Sequence, residues 1–251
     1  MAKALEAAAA AAEIQRGYFR ANLEVEIKAD KTPVTVADVE SEGAIREVLT
    51  SAFPDDGFYG EETGSSAMDA DYVWLVDPLD GTKSFVRGYP FFSVQIALLH
   101  AGEIVLGVSN APLFDEIAHA EKGAGAFING AAAHISDVGS VADASLSLGN
   151  THSIARTPAW QRLGELVAES SRIRGYGDFY HYHLLAAGRI DAVIESDVNI
   201  LDIAALSLLV TEAGGIFTDL QGQSVTLGTT SVLAANRQLH GVIFERLNGS
   251  T

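Results

Sequence analysis

The residues best placed to do chemistry lie between Trp74 and Phe85, in the string Trp-Leu-Val-Asp-Pro-Leu-Asp-Gly-Thr-Lys-Ser-Phe. Two carboxylates, Asp77 and Asp80, stand three residues apart, followed at once by Gly81 and Thr82. The apolar run Tyr72 to Val76 predicts a buried strand. The strand is expected to end on Asp77, because Pro78 lacks a backbone donor and stops a ladder. Gly81 permits a tight turn, and Thr82 can cap a following helix. Carboxylates at a strand's carboxyl end beside a helix start make a site for a hard cation, with phosphate-binding amides close by. A plainer reading stands beside it, since Asp-Pro and Asp-Gly are ordinary turn dipeptides.

Three further acidic places invite the same question. Glu61 and Glu62 follow Gly60 one element upstream, where two glutamates in a polar loop are usually just solvated. Thr35 and Asp38 precede a helical pattern with Ile45, Val48, Leu49 and Ala52 on one face, and capping explains both. Asp202 opens a run with Ile203, Leu206 and Val210 at helical spacing and Gly214 at its end, which reads as an N-cap.

Composition narrows the field. The chain has 251 residues, 48% of them apolar, enough for one large domain or two closely packed lobes. Its formal net charge of −17 argues against nucleic acid as a partner. That charge should also repel a phosphorylated substrate, unless a carboxylate-bound cation inverts the sign locally. Without cysteine there is no disulfide, thiolate nucleophile or Cys-ligated zinc. The cytosol is the natural compartment. No apolar run reaches the roughly 18 residues of a membrane span.

The elements needed to position these groups follow in order. Residues 2–22 predict a helix, 23–28 a strand, and 94–99 with 104–108 a hairpin around His100-Ala-Gly102. A small polar passage from Ser136 to Ala144 suggests a boundary, dividing the chain into lobes at 1–138 and 139–251. The second half then alternates in the α/β manner. Gly123 to Gly130 is not a dinucleotide fingerprint, since its third glycine falls at Ile128, and Gly81-Thr-Lys-Ser is not a P-loop.

The Trp74–Phe85 string resembles the signature of the inositol monophosphatase family at nearly every place. Three more segments match that family in order: Pro33-Val-Thr-Val-Ala-Asp38, Gly60-Glu-Glu62, and Asp202-Ile-Ala-Ala with Glu212-Ala-Gly-Gly215. Leu201 stands where the family usually has tryptophan, a departure that touches packing rather than ligation. The resemblance implies a five-layered αβαβα sandwich with its site between two lobes. It implies two or three Mg²⁺ held by Glu61, Asp77, Asp80, Asp202 and the Leu79 carbonyl. Oxygen-only ligands suit that cation, and the lack of a histidine cluster disfavours zinc. It further implies hydrolysis of a small phosphate monoester by metal-activated water, oriented or deprotonated by Glu61 and by Thr82, with Asp38 supporting Thr82. Backbone N–H groups of Gly81 and Thr82 would hold the phosphate. Either Lys28 or Lys31 would approach the metals, and a homodimer follows by family analogy.

Two residues bear on the substrate. Glu195 matches a position that contacts the substrate hydroxyls of the inositol enzymes, and a strand-end carboxylate explains it equally well. The segment Gly177-Asp178-Phe-Tyr180-His-Tyr182 resembles the histidinol-phosphatase branch, where Asp178 would pair with a substrate ammonium. Lys83 also departs from the threonine usual in the inositol enzymes. Histidinol phosphate is therefore favoured over inositol phosphate. An aspartyl-nucleophile phosphatase of the haloacid dehalogenase type is set aside, because Asp-x-x-Asp-Gly-Thr is not its Asp-x-Asp-x-Thr. A serine hydrolase lacks its Gly-x-Ser-x-Gly elbow. The alternative of another class is a catalytically silent family member acting as a binding or regulatory protein.

Overall fold

The structure is a computed structural model and describes residues 1–21, 25–27 and 33–249. Lys28 and Lys31 lie outside the described residues. The helices are α1 (Ala2–Tyr18), α2 (Val36–Ala52), α3 (Thr82–Val86), α4 (Ala159–Glu169), α5 (Tyr180–Ala186), α6 (Ile200–Glu212) and α7 (Arg237–Asn248). The strands of the first half are β1 (Glu26–Ile27), β2 (Pro33–Val34), β3 (Gly57–Gly60), β4 (Gly64–Ser66), β5 (Tyr72–Asp80), β6 (Ser93–His100), β7 (Glu103–Ala111), β8 (Glu116–Glu121), β9 (Gly125–Ile128) and β10 (Ala131–Ala132). Those of the second half are β11 (Ser145–Leu148), β12 (Arg172–Arg174), β13 (Ala192–Ser196), β14 (Ile216–Thr218) and β15 (Ser231–Ala235).

Two mixed sheets carry the architecture. The larger runs β10-β9-β8-β7-β6-β5-β3-β4, and the smaller runs β12-β11-β13-β15-β14. Helices α1 and α2 pack together on one face of the larger sheet, while α6 covers its other face against β5 to β9. Helix α5 lies beside α6 and against β13, and α4 and α7 close the far face of the smaller sheet. The layers are therefore αβαβα, as the resemblance implies. Each layer has its own apolar reason. Alanines 4, 7, 8 and 11 make α1 thin enough to lie close beside Ile45, Leu49 and Val76. Helix α6 is apolar nearly all round, as a helix between two sheets must be. Leu201 is buried in that middle core.

Several elements differ from expectation. Helix α1 stops at Tyr18, and of the strand expected over 23–28 Glu26 and Ile27 form β1, while 23, 24 and 28 lie outside the described residues. Strand β5 does not stop at Asp77 but continues through Asp80. Asp77 pairs with Gln95 and Asp80 with Ser93, so β5 spends three residues where β6 spends two. Pro78 sits in the resulting bulge, where a missing N–H breaks no ladder bond. The helix after it is capped by Gly81, with φ at +92°, rather than by Thr82.

Helix α6 comes into backbone contact with the larger sheet at Gly107. A Cβ there would lie 2.7 Å from the Ala205 carbonyl oxygen and 2.9 Å from its Cα. Gly107→Ala must lift α6 off β7 by overpacking, at a cost of about 1–3 kcal/mol. The expected result is a lower Tm, by roughly 2–4 °C per kcal/mol. Thermal unfolding checks this, and an unchanged Tm would show that the helix can shift freely on the sheet.

Candidate active site

The bulge in β5 is what turns a run of strand residues into a site. Asp77 and Asp80 lie on either side of it, and α6 brings in Asp202 from the second half of the chain. One carboxylate oxygen from each of the three falls within 4.8 Å of the others. Asp77 and Asp80 are buried, and Asp202 is partly exposed. The Asp77 Oδ1 accepts from the Leu79 N–H at 2.9 Å, which folds the bulge around its own carboxylate. Asp202 is not an N-cap. Asn199 caps α6, and Asp202 is the acidic partner of a capping box, accepting from the Asn199 N–H at 3.0 Å.

Glu61 joins this group from the neighbouring strand. β3 runs parallel to β5, and the Glu61 N–H continues that pairing to the Val76 carbonyl at 3.1 Å. Its carboxylate presses on both Asp77 and Asp202 electrostatically. The loop that carries it is gripped from below by Glu42 of α2, a fully buried side chain. Glu42 accepts from the N–H groups of Glu62 at 2.7 Å and Thr63 at 2.9 Å, and from the Thr63 hydroxyl. Gly60 allows this grip, since a Cβ there would lie 2.6 Å from the Glu42 carboxyl.

Thr82 stands at the other end of the bulge. Its Oγ1 lies 3.0 Å from Asp38 Oδ1 and 3.1 Å from the Leu79 carbonyl oxygen. Asp38 does cap α2 with Thr35, accepting from the Thr35 N–H at 2.8 Å and hydroxyl at 2.7 Å on Oδ2. One carboxylate thus serves as cap and as holder of Thr82. Gly81 is fixed by crowding, since a Cβ would lie 2.5 Å from the Phe91 carbonyl oxygen.

Asp178 and Glu195 complete a crevice with Asp80, Asn150, Tyr182 and Asp202. Glu195 is buried and well supplied with donors. It accepts from the Asn150 N–H at 3.0 Å and from the Tyr182 hydroxyl at 2.9 Å, and His181 Nε2 lies 3.2 Å away. Gly149 makes room for it, because a Cβ would fall 2.1 Å from Glu195 Oε1. Asp178 is held in the left-handed region at φ +44°, an unfavourable conformation for a residue with a Cβ. Ser84 hydrogen-bonds to it and Lys83 lies near enough to favour its charge.

The titration behaviour follows from these placements. Burial, then the charges of Glu61, Asp202 and Asp80, push Asp77 well above the usual carboxylate range. Burial, then Asp178, Asp202 and Glu195, do the same to Asp80. Asp202 is raised to about 7, chiefly by burial. Burial raises Asp38 against the lowering effect of its bonds to Thr35 and Thr82. Glu195 goes the other way: burial works to raise it, and His181, Asn150 and Tyr182 outweigh that and hold it low. Buried carboxylates that cannot ionise together call for a cation, and an all-oxygen donor set suits a hard one.

Comparison with known proteins agrees with this geometry. The chain matches the sequence profile of the inositol monophosphatase family across residues 1–251. It belongs to that family. A histidinol-phosphatase of Mycobacterium tuberculosis is 41% identical over 251 residues, covering 98% of this chain and 96% of the relative. An inositol-1-monophosphatase of Mesorhizobium japonicum is 36% identical over 229 residues, covering 89% and 86%. The crystal structure of the extragenic suppressor protein suhB from Bartonella henselae superposes with a TM-score of 0.92 at 34% identity, covering 100% of this chain and 99% of that one.

The sequence did not point to Glu42, His181 or Asn150, and it marked Tyr182 only as part of a family segment. The run His181-Tyr182-His183 carries the only hint, as polar rings repeated inside a helical pattern.

Raised carboxylates make the metal-free protein sensitive to alkali. Asp202 binds its proton up to about 7 when folded, against about 4 when unfolded. The folded state therefore holds more protons between those values, and stability falls as pH rises through that window. In EDTA the Tm is expected to drop from about pH 5 to about pH 8. Mg²⁺ should restore it, most strongly at the alkaline end. Differential scanning fluorimetry checks both, and a Tm in EDTA that rises over this range would contradict the electrostatics.

Proposed function

We propose that this phosphomonoesterase of the inositol monophosphatase family is a Mg²⁺-dependent histidinol-phosphatase. The observation that carries the substrate is the position of Asp178. It shares one crevice with Asp80 and Asp202, and after burial it is the largest influence raising Asp80. A carboxylate facing other carboxylates is stabilised by a cationic partner, and a substrate ammonium provides one. A neutral polyol does not. The 41% identity to a histidinol-phosphatase supports the same reading.

Asp77, Asp80, Asp202 and Glu61 would hold the Mg²⁺, two or three ions with the Leu79 carbonyl included. When bound, the metal neutralises phosphate charge and supplies Lewis-acid activation of the hydrolytic water. The chain does the rest. Gly81 and Thr82 offer backbone N–H groups to the phosphate at the start of α3. Asp38 fixes the Thr82 hydroxyl, so that Oγ1 keeps a lone pair aimed outward to accept from the attacking water. Glu61, on a loop clamped by Glu42, is the second group to orient that water and take its proton. Glu195 keeps its charge and fixes Tyr182 at the crevice wall, with His181 buried behind it. A cytosolic homodimer completes the reading, on the cysteine-free composition and family analogy.

Inositol 1-phosphate is the second substrate, favoured by the place of Glu195 in the same crevice. Phosphate release from both esters, with Mg²⁺ and with EDTA, separates the two. Histidinol phosphate is expected to be preferred, and Asp178→Asn should reduce its kcat/KM by about 10-fold or more, the worth of one charge-assisted hydrogen bond. The inositol ester should respond little. Equal loss on both esters would make Asp178 structural, and activity that survives EDTA would remove the metal from the reading.

A further inference from the structure

A continuous line of buried polar side chains runs from Asp80 through the larger sheet to α5. Ser93 Oγ lies 3.3 Å from Asp80 Oδ2, and Gln95 Nε2 lies 2.7 Å from Ser93 Oγ. The same Gln95 Nε2 lies 3.0 Å from Ser109 Oγ. Ser109 Oγ lies 2.8 Å from His183 Nε2, and His183 Nδ1 lies 2.7 Å from Glu116 Oε1. Strand register builds this line: Asp80 pairs with Ser93, and Gln95 pairs with Ser109. Ser93, Gln95, Ser109 and His183 are all at most 2% exposed. Burying so many polar groups against a mostly apolar middle layer is costly unless each is satisfied in place.

The donors can be assigned from the two ends. As a ligand to a cation Asp80 is a carboxylate and accepts, so Ser93 gives it the hydroxyl proton. Ser93 then accepts, and Gln95 must present its amide N–H there. Gln95 spends its second N–H on Ser109, which frees the Ser109 proton for His183 Nε2. His183 is left with its proton on Nδ1, where Glu116 accepts it. Both ends demand the same direction, even though it leaves Gln95 Oε1 buried without a partner. The fixed direction of the line accounts for that orphaned acceptor.

We infer that Ser93, Gln95, Ser109 and His183 are positioning residues for Asp80, holding one carboxylate oxygen so that the other faces the cation. The inference rests on reading Asp80 as a metal ligand. It makes α5, which also follows Asp178 in the chain, part of what orients a ligand on β5. The outer groups of metal sites commonly carry a 10–100-fold effect on affinity.

The test is metal binding to chelator-stripped protein, measured by isothermal titration calorimetry with Mn²⁺ and with Mg²⁺, alongside Tm. Ser93→Ala is expected to weaken binding by about 10-fold, at the low end of that range. His183→Leu, which removes the acceptor at the far end, should weaken it by several-fold, while His183→Gln, which offers an oxygen to Ser109, should restore it. Substrate KM at saturating metal should stay near wild type. Wild-type metal affinity in folded Ser93→Ala and Ser109→Ala would overturn the inference. Those two variants remove one oxygen each and decide the matter even if His183→Leu does not fold. If the wild-type protein itself binds neither cation, the metal reading fails first, and this inference with it.

Discussion

Everything in this molecule depends on keeping several carboxylates together out of water. Asp77, Asp80 and Asp202 repel one another, Glu61 presses on Asp77 and Asp202, and burial raises the energy of the three aspartate charges. Such a cluster persists only if the rest of the fold holds it against its own repulsion. The two sheets and the helix layer between them do this. Asp77 and Asp80 are fixed by a bulge in a strand flanked on both sides, and Asp202 by a helix packed to backbone contact at Gly107. The net charge of −17 makes the same point at the scale of the surface. An anionic protein can attract a phosphate ester only where a cation has reversed the local sign.

Pro78 shows how local sequence and tertiary structure cooperate. A proline in a central strand normally interrupts pairing. Here it lies between the paired residues Asp77 and Asp80, and its carbonyl accepts from the Gln15 side chain of α1 at 2.6 Å. The bulge therefore has a covering helix to satisfy it. The same economy appears at Asp38 and Asp202, each of which completes a capping box and also reaches Thr82 or the carboxylate cluster. For these residues the capping and functional readings do not compete.

That explains what could be read in advance. Asp77, Asp80, Gly81, Thr82 and Asp38 belong to short contiguous motifs whose spacing survives folding. The layer order followed from the resemblance, and the Asp202 helix was legible from its apolar spacing. What stayed hidden is what the fold brings in from a distance. Glu42 looks like any solvated helix glutamate until a loop at Glu62 and Thr63 closes over it. Ser93-Val94-Gln95-Ile96 alternates as a half-exposed strand would. The sheet is covered on both faces, so its polar row is internal. Alternation reports which residues share a face and not what lies against it.

Asp178 and Glu195 share a crevice and respond in opposite directions. Glu195 is surrounded by donors, Asn150, Tyr182 and His181, and its charge is stabilised by the protein itself. Asp178 is raised by burial and by Glu195, which outweigh His181, Ser84 and Lys83. A carboxylate the protein already satisfies gains little from a further partner, whereas an undersupplied one gains much. A non-glycine residue also bears a conformational cost at φ +44°, which the surroundings must impose. Of the two acids, Asp178 has the more to gain from a cationic partner. Selectivity for a positively charged phosphate ester would then come from the acid that the protein stabilises less, beside a neighbour held by three donors.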